Sequence, residues 1–278
     1  MHPWDIDSQL LLSDDIKVAF DSYGVLVIRG ALHGLSLAVF QDLLAEYLSV
    51  LERLIAENAP EIQANPGLVP MAARGLVHHS LLSEHLFHNS VGIIDRLAVI
   101  VQGSRLHNIL RMLLGDHVIM LDEYSTLRYK DPAKTEGFLP FHQDAHPNGP
   151  STVSPKVLTC FTPFSDTGTS RPGIEFVPQI IPDIIDLSPQ PRTQFTALEV
   201  DDLLVQKRWG NMLTAPRLHV GDIVLMNGMT IHRSQPAPVS WKPRGSADLR
   251  FIAASPVPSK YVNSKGIDLS IGARISLV

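Results

Sequence analysis

With 278 residues, 30.6 kDa, 45% hydrophobic and 18% charged residues, the chain has a globular and not a disordered composition. A formal net charge of −5 and a pI near 6.2 leave no basic footprint, which argues against nucleic acid as a partner. The single cysteine, Cys160, has no internal disulfide partner and suits a reducing compartment.

The opening Met1-His2-Pro3-Trp4-Asp5 lacks the charged and apolar regions of a signal peptide. Val25–Ile28, after Gly24, reads as a short strand. Ser36 is placed to cap a helix from Leu37 to about Glu57, with Leu37, Phe40, Leu44, Leu48, Leu51 and Ile55 on one stripe. Residues 58–80, with Pro60, Pro66 and Pro70, read as a loop. The apolar stretch Ile93 to Val101 is broken by Asp95 and Arg96 and is too short to span a bilayer, so no membrane partner is expected. Ser104 to Leu114, closed by Gly115, forms a second helix.

From Val118 the pattern changes. Strand-like runs fall at Val118–Leu121, Thr126–Lys130, Val157–Phe161, Ile174–Val177, Ile223–Met226 and Leu249–Ala253, separated by Gly, Pro, Asn and Asp. Many short strands with such turns indicate an antiparallel sandwich or barrel. The expected fold is mainly β with helical additions, a jelly roll flanked by N-terminal helices. One domain spans 1–278, helical over about 1–117 and jelly roll over about 118–278. The expected location is the cytoplasm, and a homodimer is left open.

The triplet His142-Gln143-Asp144 carries the chemistry. Residues i and i+2 of a strand share a face, so His142 and Asp144 present an imidazole and a carboxylate side by side. His232 supplies a second imidazole. Its context is a Gly221-Asp222 turn, the apolar strand Ile223–Met226, an Asn227-Gly228 turn, and a short strand bearing the histidine. Two imidazoles and one carboxylate make the facial triad of non-haem Fe(II) oxygenases, which leaves positions open for O2 and a co-substrate. A hydrogen-bonded His–Asp pair without metal is the plain alternative, and the flanking blocks with His232 weigh against it. Further along stand Arg244 and Ser246, on one face of a strand. A buried Arg beside a metal requires an anionic partner, and the distal carboxylate of 2-oxoglutarate would be one. Arg250 shares the parity of Arg244 and is the alternative anchor.

The remaining candidates have plain readings too. His146 and the pair His78-His79 read as loop or surface residues, and His85 with His88 as structural. Arg128 either faces the pocket to hold a carboxylate or points to solvent. Arg171 and the Lys207-Arg208-Trp209 cluster read as loop residues with substrate contact as the alternative. Cys160 reads as a small buried apolar residue.

Four stretches resemble the phytanoyl-CoA dioxygenase-like branch of the Fe(II)/2-oxoglutarate oxygenases. They are Phe20 to Gly30, Phe141-His142-Gln143-Asp144, Pro172 to Pro178, and Gly221-Asp222 through His232-Arg233-Ser234 to Arg244-Gly245-Ser246. The resemblance implies a double-stranded β-helix (cupin-like) core and Fe(II) held by His142, Asp144 and His232. It also implies 2-oxoglutarate anchored by Arg244 with Ser246, and O2-dependent hydroxylation of a small organic molecule with release of succinate and CO2. Desaturation or ring rearrangement fits the same site and is expected ahead of halogenation, because Asp144 fills the position a halide would need. Two rival classes are a cupin-type metal enzyme without 2-oxoglutarate and a non-catalytic binding protein on the same barrel. Residues 58–79 and 181–211 lie outside the recognisable blocks. The second is expected to form part of a lid over the iron, with Arg208 or Trp209 facing the substrate.

Overall fold

In a computed structural model of the chain, residues 2–9, 13–56, 92–122, 124–130, 132–134, 138–144, 157–185, 198–258 and 261–277 are described. The expected loop 58–80 and His78, His79, His85, His88 and His146 lie outside these residues.

Helix α1 (Ser13–Tyr23) opens on Asp14 and Asp15, whose charges suit a helix N-terminus. It ends at Gly24, where φ of +69° turns the chain into strand β2 (Val25–Arg29). Helix α2 (Gly34–Ala56) starts two residues before the expected cap. Ser36 lies inside it and donates to the Gly103 carbonyl (2.7 Å), tying α2 to the turn between α3 (Ile93–Gln102) and α4 (Arg105–Leu114). Gly115 closes α4 at φ +99°, as its position predicts. Helices α1 and α3 are not anticipated by the sequence reading. In α3, Asp95 and Arg96 interrupt the apolar run in sequence only; Ile93, Leu97, Ala98, Ile100 and Val101 are buried together.

The strands form two sheets. The larger runs β1-β2-β9-β6-β11-β3-β12-β13, with β4 also paired to β11. Its members are β1 (Asp5–Asp7), β2, β3 (Val118–Leu121), β4 (Thr126–Lys130), β6 (Val157–Pro163), β9 (Ile223–Asn227), β11 (Arg244–Ala253), β12 (Lys265–Asp268) and β13 (Ala273–Ser276). The smaller runs β7-β10-β5-β8, from β7 (Ile174–Phe176), β10 (His232–Ser234), β5 (His142–Gln143) and β8 (Leu198–Glu199). Every pairing is antiparallel except that of β1 with β2.

Alternation along the strands sorts the side chains. Leu127, Leu158, Cys160, Leu225, Ala247, Leu249 and Phe251 face the helices, where they pack with Phe20, Leu43, Leu97 and Leu110. Val25, Val27, Phe161, Val224 and Met226 face the other way, onto Ile174 and Phe176 of the small sheet. This is a jelly-roll sandwich with helices on its outer face, as the sequence predicts. The turn at Gly221-Asp222 is fixed by charge. Asp222 accepts from Arg29 (2.8 Å), the Gly30 amide (2.9 Å) and the His219 amide (3.0 Å), and Arg29 also pairs with Asp5 (2.7 Å). Among the described residues no helix is long and apolar enough to cross a membrane.

Candidate active site

β5 and β10 are adjacent in the small sheet, with His142 and His232 as register partners. Directly opposite residues point to the same face, so both imidazoles enter the space between the sheets. Asp144 follows the end of β5. Its Oδ1 lies 3.9 Å from His142 Nε2 and its Oδ2 lies 3.8 Å from His232 Nε2. The three residues offer donor atoms that all fall within 4.8 Å of one another.

Each histidine is oriented through its other nitrogen. His142 Nδ1 lies 2.8 Å from the Pro140 carbonyl, and His232 Nδ1 lies 2.9 Å from the Thr230 carbonyl. A carbonyl only accepts, so both Nδ1 atoms carry the proton and both Nε2 lone pairs face the centre. Burial, reinforced by His232, holds the His142 imidazolium down to about 3, so this ring is neutral and able to ligate. Burial alone would raise the Asp144 carboxyl. Arg250, the two histidines and a hydrogen bond from Thr159 outweigh it and hold the group well below the usual carboxylate range. Two imidazoles and one ionised carboxylate converging in a buried space fit a divalent ion such as Fe(II).

A second constellation lies on the large sheet. Even-numbered residues of β11 point into the same space, each beside a register partner: Arg244 with Lys130, Ser246 with Arg128, Asp248 with Thr126 and Phe161, Arg250 with Thr159. Arg244 is 3% exposed. It donates to the carbonyls of Pro172 (3.0 Å) and Gly173 (3.3 Å) and to the Ser246 hydroxyl, and stacks over Phe161 at 4.7 Å. Burial pulls its pKa down to about 10. Gly245 between them faces the helices, where a Cβ would meet the Phe164 ring at 2.6 Å, which accounts for the Arg-Gly-Ser sequence. Arg128 faces the cavity and pairs with Asp248 (2.5 Å).

Arg250 has a different place. Its Nη2 lies 3.1 Å from Asp144 Oδ1, so the guanidinium is committed to the triad carboxylate. Its partner is an acid more than a hundred residues away in sequence, on the other sheet's side of the cavity. The two arginines of equal parity thus serve opposite ends of one cavity.

That cavity lies between the two sheets. Five cationic side chains, Arg128, Lys130, Arg233, Arg244 and Arg250, line it against two carboxylates, Asp144 and Asp248. Arg233 is offset by Glu175 at 2.5 Å. Leu139, Phe161, Ile174 and Met226 supply apolar wall.

Some expected residues are not brought together. Arg171 donates to the Pro243 carbonyl (3.1 Å) outside the cavity lining. Arg208 and Trp209 fall on α5 (Asp202–Trp209), a helix within the stretch read as a loop. Arg208 is exposed, with its guanidinium over the Trp209 ring at 5.8 Å, and Trp209 packs on the cluster of Phe141, Val177 and Val205. Neither lines the cavity, because the α5 stripe that includes Val205 turns inward onto that cluster and leaves Arg208 to solvent. Residues 186–197 of the expected lid lie outside the described residues.

The sequence reading missed Thr159, Lys130, Tyr124 and Gln143. Thr159 had a signal, a lone hydroxyl in the buried run Val157–Phe161. Gln143 faces away from the metal ligands. Its amide donates to the Met229 (2.8 Å) and Asp183 (3.2 Å) carbonyls and accepts from the Ile185 amide (2.9 Å).

No protein-family model and no curated protein sequence matches the chain. Solved structures do. The apo form of ThoJ, a non-heme monooxygenase, aligns with TM-score 0.59 over 91% of this chain and 83% of its own, at 14% identity. EctD from S. alaskensis with 2-oxoglutarate and 5-hydroxyectoine aligns with TM-score 0.55 over 88% of this chain and 77% of its own, at 17% identity. EctD from the same source with bound Fe gives TM-score 0.53 over 88% and 78%, also at 17% identity. The likeness is one of fold: the jelly roll here is the one these non-haem enzymes use.

Proposed function

We propose that the protein is an Fe(II)- and 2-oxoglutarate-dependent oxygenase that hydroxylates, desaturates or rearranges a small organic metabolite, in natural-product or other specialised metabolism. The observation that carries this reading is the pairing within one cavity of a His–Asp–His triad with a buried Arg244, which Ser246 backs from behind the lining. The structures of similar fold that contain Fe, or 2-oxoglutarate with a hydroxylated metabolite, support it.

His142, Asp144 and His232 hold the metal by one face. Arg244, backed by Ser246, receives the distal carboxylate of 2-oxoglutarate. Its other hydrogen bonds go to carbonyls, and a carboxylate supplies the counter-charge that burial demands. Arg128, fixed by Asp248 and opposite Ser246, adds positive charge beside that carboxylate. When bound, Fe(II) with 2-oxoglutarate and O2 supplies an oxidant competent for an unactivated C–H bond, and 2-oxoglutarate leaves as succinate and CO2. The apolar wall excludes water and positions the substrate C–H. Asp144 occupies the place a halide would take, which favours oxygenation over halogenation. A cupin-type metal enzyme without 2-oxoglutarate, or a binding protein on this barrel, would have no use for a buried Arg244.

We read the chain as a single domain working in the cytoplasm on a small molecule, without nucleic acid, and with a homodimer as the assembly to test by light scattering. The functional test is succinate formation from 2-oxoglutarate with Fe(II) and O2 across a panel of metabolites. A substrate that accelerates it, with succinate and oxidised product in equal amounts, is the expected result. Oxidation of such a substrate without 2-oxoglutarate would contradict the reading.

A further inference from the structure

Asp144 is held at both carboxylate oxygens, and by two residues that are themselves paired. Thr159 Oγ1 donates to Oδ2 at 2.7 Å, and Arg250 Nη2 lies 3.1 Å from Oδ1. Thr159 on β6 and Arg250 on β11 are register partners in the large sheet, whereas Asp144 follows β5 of the small one. We propose that Arg250 and Thr159 form a two-pronged clamp across the sandwich that fixes Asp144 as a one-oxygen metal ligand. The proposal rests on the metal reading given above.

Three features carry it. Strand pairing ends at Gln143, so the direction of the Asp144 carboxylate is set by side-chain contacts and not by a backbone ladder. Thr159 is 5% exposed between the buried Leu158 and Cys160, where a hydroxyl is costly unless it is used. Arg250 Nε is buried with no hydrogen-bond partner among the described residues, so the guanidinium is held there by the carboxylate rather than by a web of other bonds.

Each oxygen also faces one histidine: Oδ1 is 3.9 Å from His142 Nε2 and Oδ2 is 3.8 Å from His232 Nε2. Held at both oxygens, the carboxylate is fixed in its rotation, and turning it to give both oxygens to one ion would stretch one of the two contacts. We infer that it ligates by one oxygen in the held orientation. That leaves coordination positions for a chelating co-substrate and O2.

The test is a Co(II) titration of the protein, followed by calorimetry and by visible absorption, which reports coordination number. The wild type is expected to bind one Co(II), and His142→Ala is expected to lose it. Absence of that binding overturns the parent reading and the clamp with it. Given binding, Thr159→Val and Arg250→Met are each expected to weaken Co(II) about tenfold and to lower band intensity as Asp144 turns to offer both oxygens. The double variant is expected to be scarcely worse than either single one, since one lost prong already frees the carboxylate. Thr159→Ser restores wild-type spectra under the clamp. A packing role predicts the reverse, with the isosteric Val normal and Ser defective. Wild-type affinity and spectra in both Thr159→Val and Arg250→Met would overturn the clamp while leaving the metal site intact.

Discussion

His142 and His232 are cross-strand neighbours: among the described residues they are the register pair that joins β5 to β10, and the imidazole centroids are 4.1 Å apart. The metal site is thus built by strand pairing, and the ring orientations by the Pro140 and Thr230 carbonyls. His142→Ala, Asp144→Ala and His232→Ala are each expected to abolish turnover and to weaken metal binding by at least about tenfold, measured by equilibrium dialysis. Normal metal content with normal turnover in any of the three would remove that residue from the ligand set.

Arg244 and Arg250 separate in their effects. Arg244→Ala is expected to raise the KM for 2-oxoglutarate by the equivalent of about 2–4 kcal/mol and to leave metal affinity unchanged. Ser246→Ala shows the same direction with about 1 kcal/mol, the scale of one hydrogen bond. If Arg250→Ala raised that KM while Arg244→Ala did not, the anchor would be at the wrong end of the cavity.

The pH dependence of stability follows from His142. Its imidazolium is held from an ordinary 6.5 down to about 3, by burial first and then by His232. Between those values the unfolded chain takes up a proton that the folded chain refuses. This contribution is complete above pH 6.5 and is lost as pH falls through the window, by at most about 1.4 kcal/mol per pH unit. Asp144, with its carboxyl held below an ordinary 3.8, adds a loss only below that value. Denaturant unfolding of the metal-free protein between about pH 7 and 5 is expected to show a shallower slope for His142→Gln than for the wild type. Equal slopes would mean that His142 titrates normally in the fold.

How far the sequence led can be followed residue by residue. The core strands were legible because their apolar runs are bounded by Gly, Pro and Asn. β3 and β4 fall on the residues expected, β6, β9 and β11 contain their runs, and β7 ends one residue short of its own. The triad was legible because its parity and the turns around His232 are local. Helix α1 was hidden because Asp14, Asp15, Lys17 and Asp21 dilute the stripe of Ile16, Ala19 and Phe20. β12 and β13 were missed because an edge hairpin carries little apolar signal; β13 alternates half-buried and exposed residues. The clamp on Asp144 was out of reach, since no local pattern shows that Thr159 and Arg250 become register partners. Arg208 and Trp209 were read as loop residues because a short helix between core blocks looks, in sequence, like any insertion.

The exposure of Arg208 has a testable side. Arg208→Ala is expected to leave the KM for the organic substrate within about twofold, as for an ordinary exposed residue. Gln143→Ala is expected to speed hydrogen exchange at the Ile185 amide and to cost about 1–3 kcal/mol, because it strands buried groups at Ile185 and Met229. Unchanged protection at Ile185 would show that the segment is held by other contacts.

The Gly221-Asp222 turn is predicted to govern stability without touching chemistry. Asp222→Ala leaves Arg29 and the Gly30 and His219 amides without their shared acceptor, at a cost of about 2–4 kcal/mol in urea unfolding. Asp222→Asn, which keeps one acceptor oxygen, is expected to lose less. Equal losses in both would place the effect in the charge alone.

The central claim is that one cavity joins a metal triad to a carboxylate anchor. It is tested most directly by calorimetric titration of 2-oxoglutarate into the protein, with and without a redox-inert divalent metal. The account predicts one equivalent bound in the metal-loaded protein, sharply weakened when metal is omitted, in His142→Ala, and in Arg244→Ala. No binding to the metal-loaded wild type, or binding indifferent to both substitutions, would contradict it.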